Sequence, residues 1–178
     1  MSVLGDRLLA IHDALAEANL PHAFGGAIAL GFCTLEPRAT RDIDLNVFVG
    51  LDRIKEVFAA LPDGVTITAT SLQQAERDGQ VRLLWEELPV DVFFSVLRLH
   101  DEVAREVRQV PFMARVIPVV GCTQLAIFKA IGNRTKDWAD IEAMVESNVV
   151  DERAAVDWLR EVLSEKSPNV RRLQELID

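Results

Sequence analysis

Apolar and polar positions alternate along this chain with two periods, and the places where one gives way to the other mark out its elements. Over 2–19, Leu8, Ile11, Leu15 and Ala18 fall at helical spacing, with acids and His12 on the other side. Pro21 stops that helix, His22-Ala23-Phe24 predicts a first strand, and a helix over 27–34 follows. Pro37 marks a loop, and the β-branched run 42–49 predicts a strand that Gly50 ends. Leu51–Leu61 reads as an amphipathic helix closed by Pro62-Asp63-Gly64, and 65–70 as a short strand. Ser71 is placed to cap a brief helix through Glu76, before the Asp78-Gly79 turn. Two adjacent strands follow, Gln80–Glu86 and Leu88–Ser95, then a helix over Leu97–Arg108. Val110–Val120 is apolar but broken by Pro111 and Pro118, which predicts an edge strand or extended loop. From Cys122 onward the period is helical. Helices are expected over Thr123–Ile131, from a Thr135 cap through Glu146, over 151–164, and after Ser167-Pro168. The pattern divides the chain into a core, 1–120, and a helical part, 121–178, with no flexible linker to let the second swing freely.

Three acids break this pattern. Asp42 and Asp44 interrupt an apolar strand, and Asp91 does the same in Leu-Pro-Val-Asp-Val-Phe-Phe. Unpaired charge on such strands is costly. If Asp42 and Asp44 share one strand face, their Cα atoms stand roughly 6.5–7 Å apart. A hard divalent cation, which prefers oxygen ligands and keeps positions open for phosphates, relieves their repulsion. Upstream, Gly25-Gly26 ends the first strand where a helix starts, a place where a phosphate can approach backbone amides. A Gly-Gly pair alone is more often a plain turn, and an Asp-x-Asp alone a solvated edge. Together on one segment they point to a metal and phosphate site.

Composition narrows the reading. At 178 residues and 49% hydrophobic, the chain has ample material for one core. It has no apolar run of membrane-spanning length and no signal-peptide pattern, so a cytoplasmic protein is expected. Cys33 and Cys122 read as buried small hydrophobes rather than a disulfide framework, and His12, His22 and His100 make no zinc pattern. The net charge of −9 argues against indiscriminate nucleic-acid binding and suits a cationic substrate better.

The pattern Gly-Gly-x-Ala, followed by Arg38-x-Thr40-x-Asp42-Ile43-Asp44, resembles the nucleotidyltransferase superfamily of the DNA polymerase β type. Within it the chain is similar to small AbiEii-like toxins and to bacterial aminoglycoside nucleotidyltransferases. The resemblance is strong over 22–49 and weaker over 88–94 and 125–141. It implies an α/β (α+β) fold: a short mixed sheet with flanking helices and a C-terminal helical bundle. It also implies two Mg²⁺ ions held by Asp42, Asp44 and Asp91, with an NTP as substrate and its triphosphate on the Gly25 and Gly26 amides. Lys129, on an otherwise apolar helix, either snorkels to the surface or neutralises the triphosphate, and the resemblance favours the second. It carries Asp137 over as functional, with Arg134 and Lys136 as further candidates. Asp137 also has the plain reading of an acid in a first helical turn.

The implied activity is nucleotide transfer by the toxin of a toxin–antitoxin pair, with tRNA 3′ ends or another RNA as acceptor. Aminoglycoside modification and a non-catalytic binding module are the alternatives. Longer AbiEii proteins carry a tyrosine motif near their C-terminus, whereas this chain has no tyrosine. Some toxins of this kind are silenced by an antitoxin that phosphorylates a serine or threonine. If the strand reaches back to residue 40, Thr40 shares the face of Asp42 and Asp44 and is the matching position.

Overall fold

The computed structural model describes residues 3–177. Helix α1 (Val3–Glu17) buries Leu8, Ile11 and Leu15 as its spacing predicts, and β1 (His22–Phe24) follows, wholly buried. Then come α2 (Gly26–Thr34), β2 (Ile43–Val47), a single 3₁₀ turn at Leu51–Arg53, α3 (Ile54–Ala60) and a two-residue β3 (Val65–Thr66). Helix α4 (Ala69–Asp78) leads into β4 (Gln80–Trp85) and β5 (Leu88–Phe94), and α5 (Arg98–Arg105) into β6 (Arg108–Phe112) and β7 (Arg115–Val119). Four helices complete the described chain: α6 (Cys122–Gly132), α7 (Thr135–Glu146), α8 (Glu152–Leu163) and α9 (Pro168–Ile177).

Among the described residues the strands form one mixed sheet of seven, in the order β3-β4-β5-β2-β1-β7-β6. Strands β2 and β5 are parallel at its centre, β1 runs antiparallel to β2, and β4 and β5 form a hairpin. Helix α2, which joins the antiparallel neighbours β1 and β2, packs against α6 and α7, and α6 also packs against α8 and α9, so the helical part is seated on α2. This is why α6 reads as apolar nearly all round: Leu125, Ala126, Ile127 and Ala130 are all buried. The expected mixed sheet with flanking helices and a C-terminal bundle is what is found.

Several local expectations give way. Strand β2 covers 43–47 rather than 42–49, leaving Asp42 in the bend before it. The strand expected at 65–70 stops at Thr66, because Thr68 rather than Ser71 caps α4. The Thr68 hydroxyl accepts from the Ser71 amide at 3.0 Å, and the Ser71 hydroxyl accepts from the Thr68 amide at 2.7 Å. The stretch 110–120 belongs to a hairpin, with β7 paired to both β1 and β6, so β6 is an edge strand and β7 is not. Thr135 is the first residue of α7 and not its cap, which is Arg134.

The two cysteines are buried, as expected, but joined. Cys33 near the end of α2 and Cys122 at the start of α6 form a disulfide with their Cα atoms 5.6 Å apart. Such bonds persist in oxidising compartments and are rare in the cytosol. The bond closes a loop of 89 residues between the two parts of the chain. Reduction, or Cys33→Ser, should therefore lower unfolding free energy by about 2–4 kcal/mol, read from denaturant midpoints with and without reductant. Equal midpoints would mean that the bond does not hold these helices together.

Candidate active site

Strand alternation sets the centre of the site. Ile43 and Leu45 on β2, and Val90 and Val92 on β5, point into the core and are buried. The intervening Asp44 and Asp91 point the other way and stand opposite each other in the parallel register. Both line a cleft of about 480 Å³, together with Gly25, Gly26, Lys129 and Arg134. Six of the residues singled out from sequence are thus in one place. Asp42 stands beside them in the bend that enters β2, close enough for its charge to act on Asp44.

Asp44 is held by the turn before α2. Its backbone carbonyl accepts from the Gly25 amide at 2.8 Å, and its carboxylate lies against Gly26. A Cβ on Gly26 would stand 1.8 Å from Asp44 Oδ2, and Gly26 has a φ of +52°. Glycine is therefore demanded twice at this position. Because the Gly25 amide is spent on Asp44, the expectation that both glycine amides cradle phosphate needs correcting. Ala29 makes the first bond of α2, donating to the Gly25 carbonyl, so the free donors are the amides of Gly26, Ala27 and Ile28.

Burial, and then the charges of Asp42 and Asp91, push the Asp44 carboxyl up to about 6, against the pull of Lys129 and Arg134. No hydrogen bond to this carboxylate is seen among the described residues. Its two neighbours are partnered. The Thr40 hydroxyl donates to Asp42 Oδ1 at 2.6 Å, and Arg82 grips Asp91 with both prongs, Nε to Oδ1 at 2.7 Å and Nη2 to Oδ2 at 2.6 Å. In this arrangement no three acidic, histidine or cysteine side chains among the described residues stand ready to hold a metal ion. The donors nevertheless have the right chemistry for one: hard carboxylate oxygens, with Asp44 and Asp91 side by side in register.

Residue 40 lies in the loop before β2, so Thr40 does not share a strand face with Asp44. Its hydroxyl reaches Asp42 all the same, by local loop geometry.

On the opposite wall, Lys129 does not snorkel. Its side chain is 11% exposed, with Nζ 2.7 Å from Asp140 and 3.7 Å from Asp137. Asp140 also takes an ion pair from Arg38, which ties the loop before β2 to α7. Sequence reading did not single out Asp140, although it is the second acid of Lys-Asp-x-x-Asp. Asp137 is wholly buried and does not itself line the cleft. It accepts from the Arg134 backbone amide at 3.1 Å and from the Arg134 guanidinium at 2.7 and 3.1 Å. Burial pushes its carboxyl up, but these hydrogen bonds outweigh it and hold the group below the usual carboxylate range. Asp137 thus orients Arg134 towards the cleft. Lys136 is exposed and does not line the cleft.

Neither a protein-family model nor a curated protein matches the chain. Solved structures do. The solution structure of the antibiotic-resistance factor ANT(2″)-Ia aligns over 97% of this chain and 97% of its own, with a TM-score of 0.61 and 14% identity. The crystal structure of ANT(2″)-Ia in complex with adenylyl-2″-tobramycin aligns over 90% of this chain and 97% of its own, with a TM-score of 0.62 and 16% identity. At such identities the likeness is one of fold, and by it the chain has the fold of the nucleotidyltransferases.

Proposed function

We infer that the chain is a metal-dependent nucleotidyltransferase, which moves a nucleoside monophosphate from an NTP to an acceptor hydroxyl. The observation that carries this reading is Asp44 beside Asp91 on adjacent parallel strands, opening into the cleft that α2 enters by its N-terminus. Asp42, Asp44 and Asp91 would hold Mg²⁺. When bound, the metal offsets charge on the attacking and leaving oxygens. The protein's own groups position the reactants. The Gly26, Ala27 and Ile28 amides and the α2 dipole meet the triphosphate from one side, and Lys129 and Arg134 from the other. The acceptor oxygen bonds to the α-phosphorus as the bond to the β-phosphate's bridging oxygen breaks, and pyrophosphate leaves. Asp91 would accept the acceptor's proton as general base. Asp137 acts through Arg134, as a positioning residue.

A small polycationic acceptor, of the aminoglycoside kind, fits the surroundings best. The net charge is −9, and Asp44, Asp78 and Asp91 all line the cleft. The likeness to a resistance factor bound to an adenylylated tobramycin supports this choice.

One observation favours the second reading, a toxin acting on tRNA or another RNA and silenced by an antitoxin kinase. Thr40, half-buried, already bonds to Asp42. A phosphate there would place about −1.5 to −2 charge beside the metal carboxylates. Incubation with each labelled triphosphate, an aminoglycoside panel and bulk tRNA separates the two. Label on drug alone supports the first reading, and label on tRNA alone the second.

A further inference from the structure

Arg82 and Asp91 face each other across the β4–β5 hairpin, and the grip between them is two-pronged. This geometry is the strongest that arginine makes with a carboxylate, and it uses both oxygens of Asp91. The Arg82 side chain is 59% exposed while that of Asp91 is 17% exposed, so the arginine has room to leave and the aspartate does not. The Arg82 guanidinium also feels the charges of Asp42 and Asp44. It is thus a cation bonded to one of the three carboxylates and within reach of the charge of the other two.

We propose that Arg82 is a positioning residue that acts as an internal stand-in for the metal ion. It closes Asp91 in the metal-free protein and must release it before Asp91 can serve. The proposal rests on the metal-dependent reading above. Arg82 and a divalent ion are both cations drawn to the same two oxygens, so a metal at Asp91 competes with the two-pronged grip of Arg82. Once displaced, the guanidinium remains beside the cleft and needs a new anion. The triphosphate of an NTP provides one, in the bidentate form that arginine favours. Metal at Asp91 and nucleotide in the cleft therefore help each other to bind. Metal alone binds the closed site more weakly, since it must first displace Arg82 from Asp91.

The test is equilibrium binding of Mn²⁺, followed by the electron paramagnetic resonance of the free ion, near neutral pH. Wild type, R82Q, R82K and D44N are compared, each with and without a non-hydrolysable NTP analogue. Freed from competition, R82Q should bind Mn²⁺ about 5- to 20-fold more tightly than wild type when no nucleotide is present. The analogue should tighten Mn²⁺ binding in wild type far more than in R82Q. R82K keeps the charge but not the fork, and should fall between. A purely structural role for Arg82 would lower thermal stability without changing metal affinity. Equal Mn²⁺ affinity in wild type and R82Q, with weaker binding in D44N, would overturn the role of Arg82 and leave the metal site standing. If no variant bound Mn²⁺, the metal-dependent reading would fall and this proposal with it.

Discussion

Asp44→Asn should abolish transfer and, in metal-free protein, raise stability at neutral pH. Both effects come from one carboxylate. Its side chain is largely buried beside two other acids, and its carboxyl is pushed from 3.8 to about 6. A group whose folded-state value is raised favours its protonated form in the folded state. The stability it confers is fully present below the unfolded value and is lost as pH rises through about 6. The loss amounts to roughly 2–3 kcal/mol by neutral pH. The neutral amide of the variant escapes that loss, so its stability should stay flatter with pH over this window. Added Mg²⁺ should reverse the order by stabilising wild type and not the variant. Transfer should fall by at least about a thousandfold, since a lost metal ligand removes several kcal/mol of charge stabilisation. Thermal melts across pH, with and without Mg²⁺, read the stability arm. A variant less stable than wild type in metal-free buffer at neutral pH would contradict it.

Lys129→Met should lower both transfer and stability, and the two losses should separate. The ammonium lies between Asp140 and Asp137, in a nearly closed setting. Its removal takes from buried Asp140 one of its two cationic partners, with Arg38 remaining, at about 1.5–3 kcal/mol. The same ammonium lines the cleft where the triphosphate is expected, so transfer should fall by about 10²- to 10³-fold. Adding Asp140→Asn to Lys129→Met removes the carboxylate charge that lost its lysine. Stability should recover by about half or more, because the two changes share one interaction and do not add. Transfer should not recover. Activity returning with stability in the double variant would make Lys129 a structural residue alone.

Much of this site was legible before the fold was known. Asp42, Asp44 and Asp91 stood out because charge is rare on apolar strands, and that cost acts wherever the strands end up. Gly25-Gly26 stood out because few other residues permit such a turn, and Gly26 proves to need both its freedom and its missing side chain. The partners of these acids were not legible by the same means, since they come from other strands and helices. Arg82 was within reach: a two-residue turn at Glu86-Glu87 pairs Trp85 with Leu88, and counting back sets Arg82 against Asp91. Asp140 required knowing that α7 crosses α6 beside Lys129. The cysteines were misread for a similar reason. Only the packing of α2 on α6 brings Cys33 to Cys122, across 89 positions of sequence.

The edges of elements were the weakest part of the sequence reading, and one of them mattered. The strand at β2 begins one residue later than its composition implies, because Asp42 is drawn into a local bond with the Thr40 hydroxyl. That bond gives Thr40 a place next to the acids for a different reason from strand parity. Likewise α4 begins earlier than expected, because a reciprocal Thr68–Ser71 cap overrides the strand-favouring run before it.

The most direct test of the account is pyrophosphate release from each of the four NTPs, in the presence of an aminoglycoside panel, by wild type and by Asp44→Asn. Wild type should release pyrophosphate from at least one NTP, dependent on Mg²⁺ and stopped by chelation, and the variant none above background. Release that persists in Asp44→Asn, or that continues at the full rate without divalent metal, would contradict it.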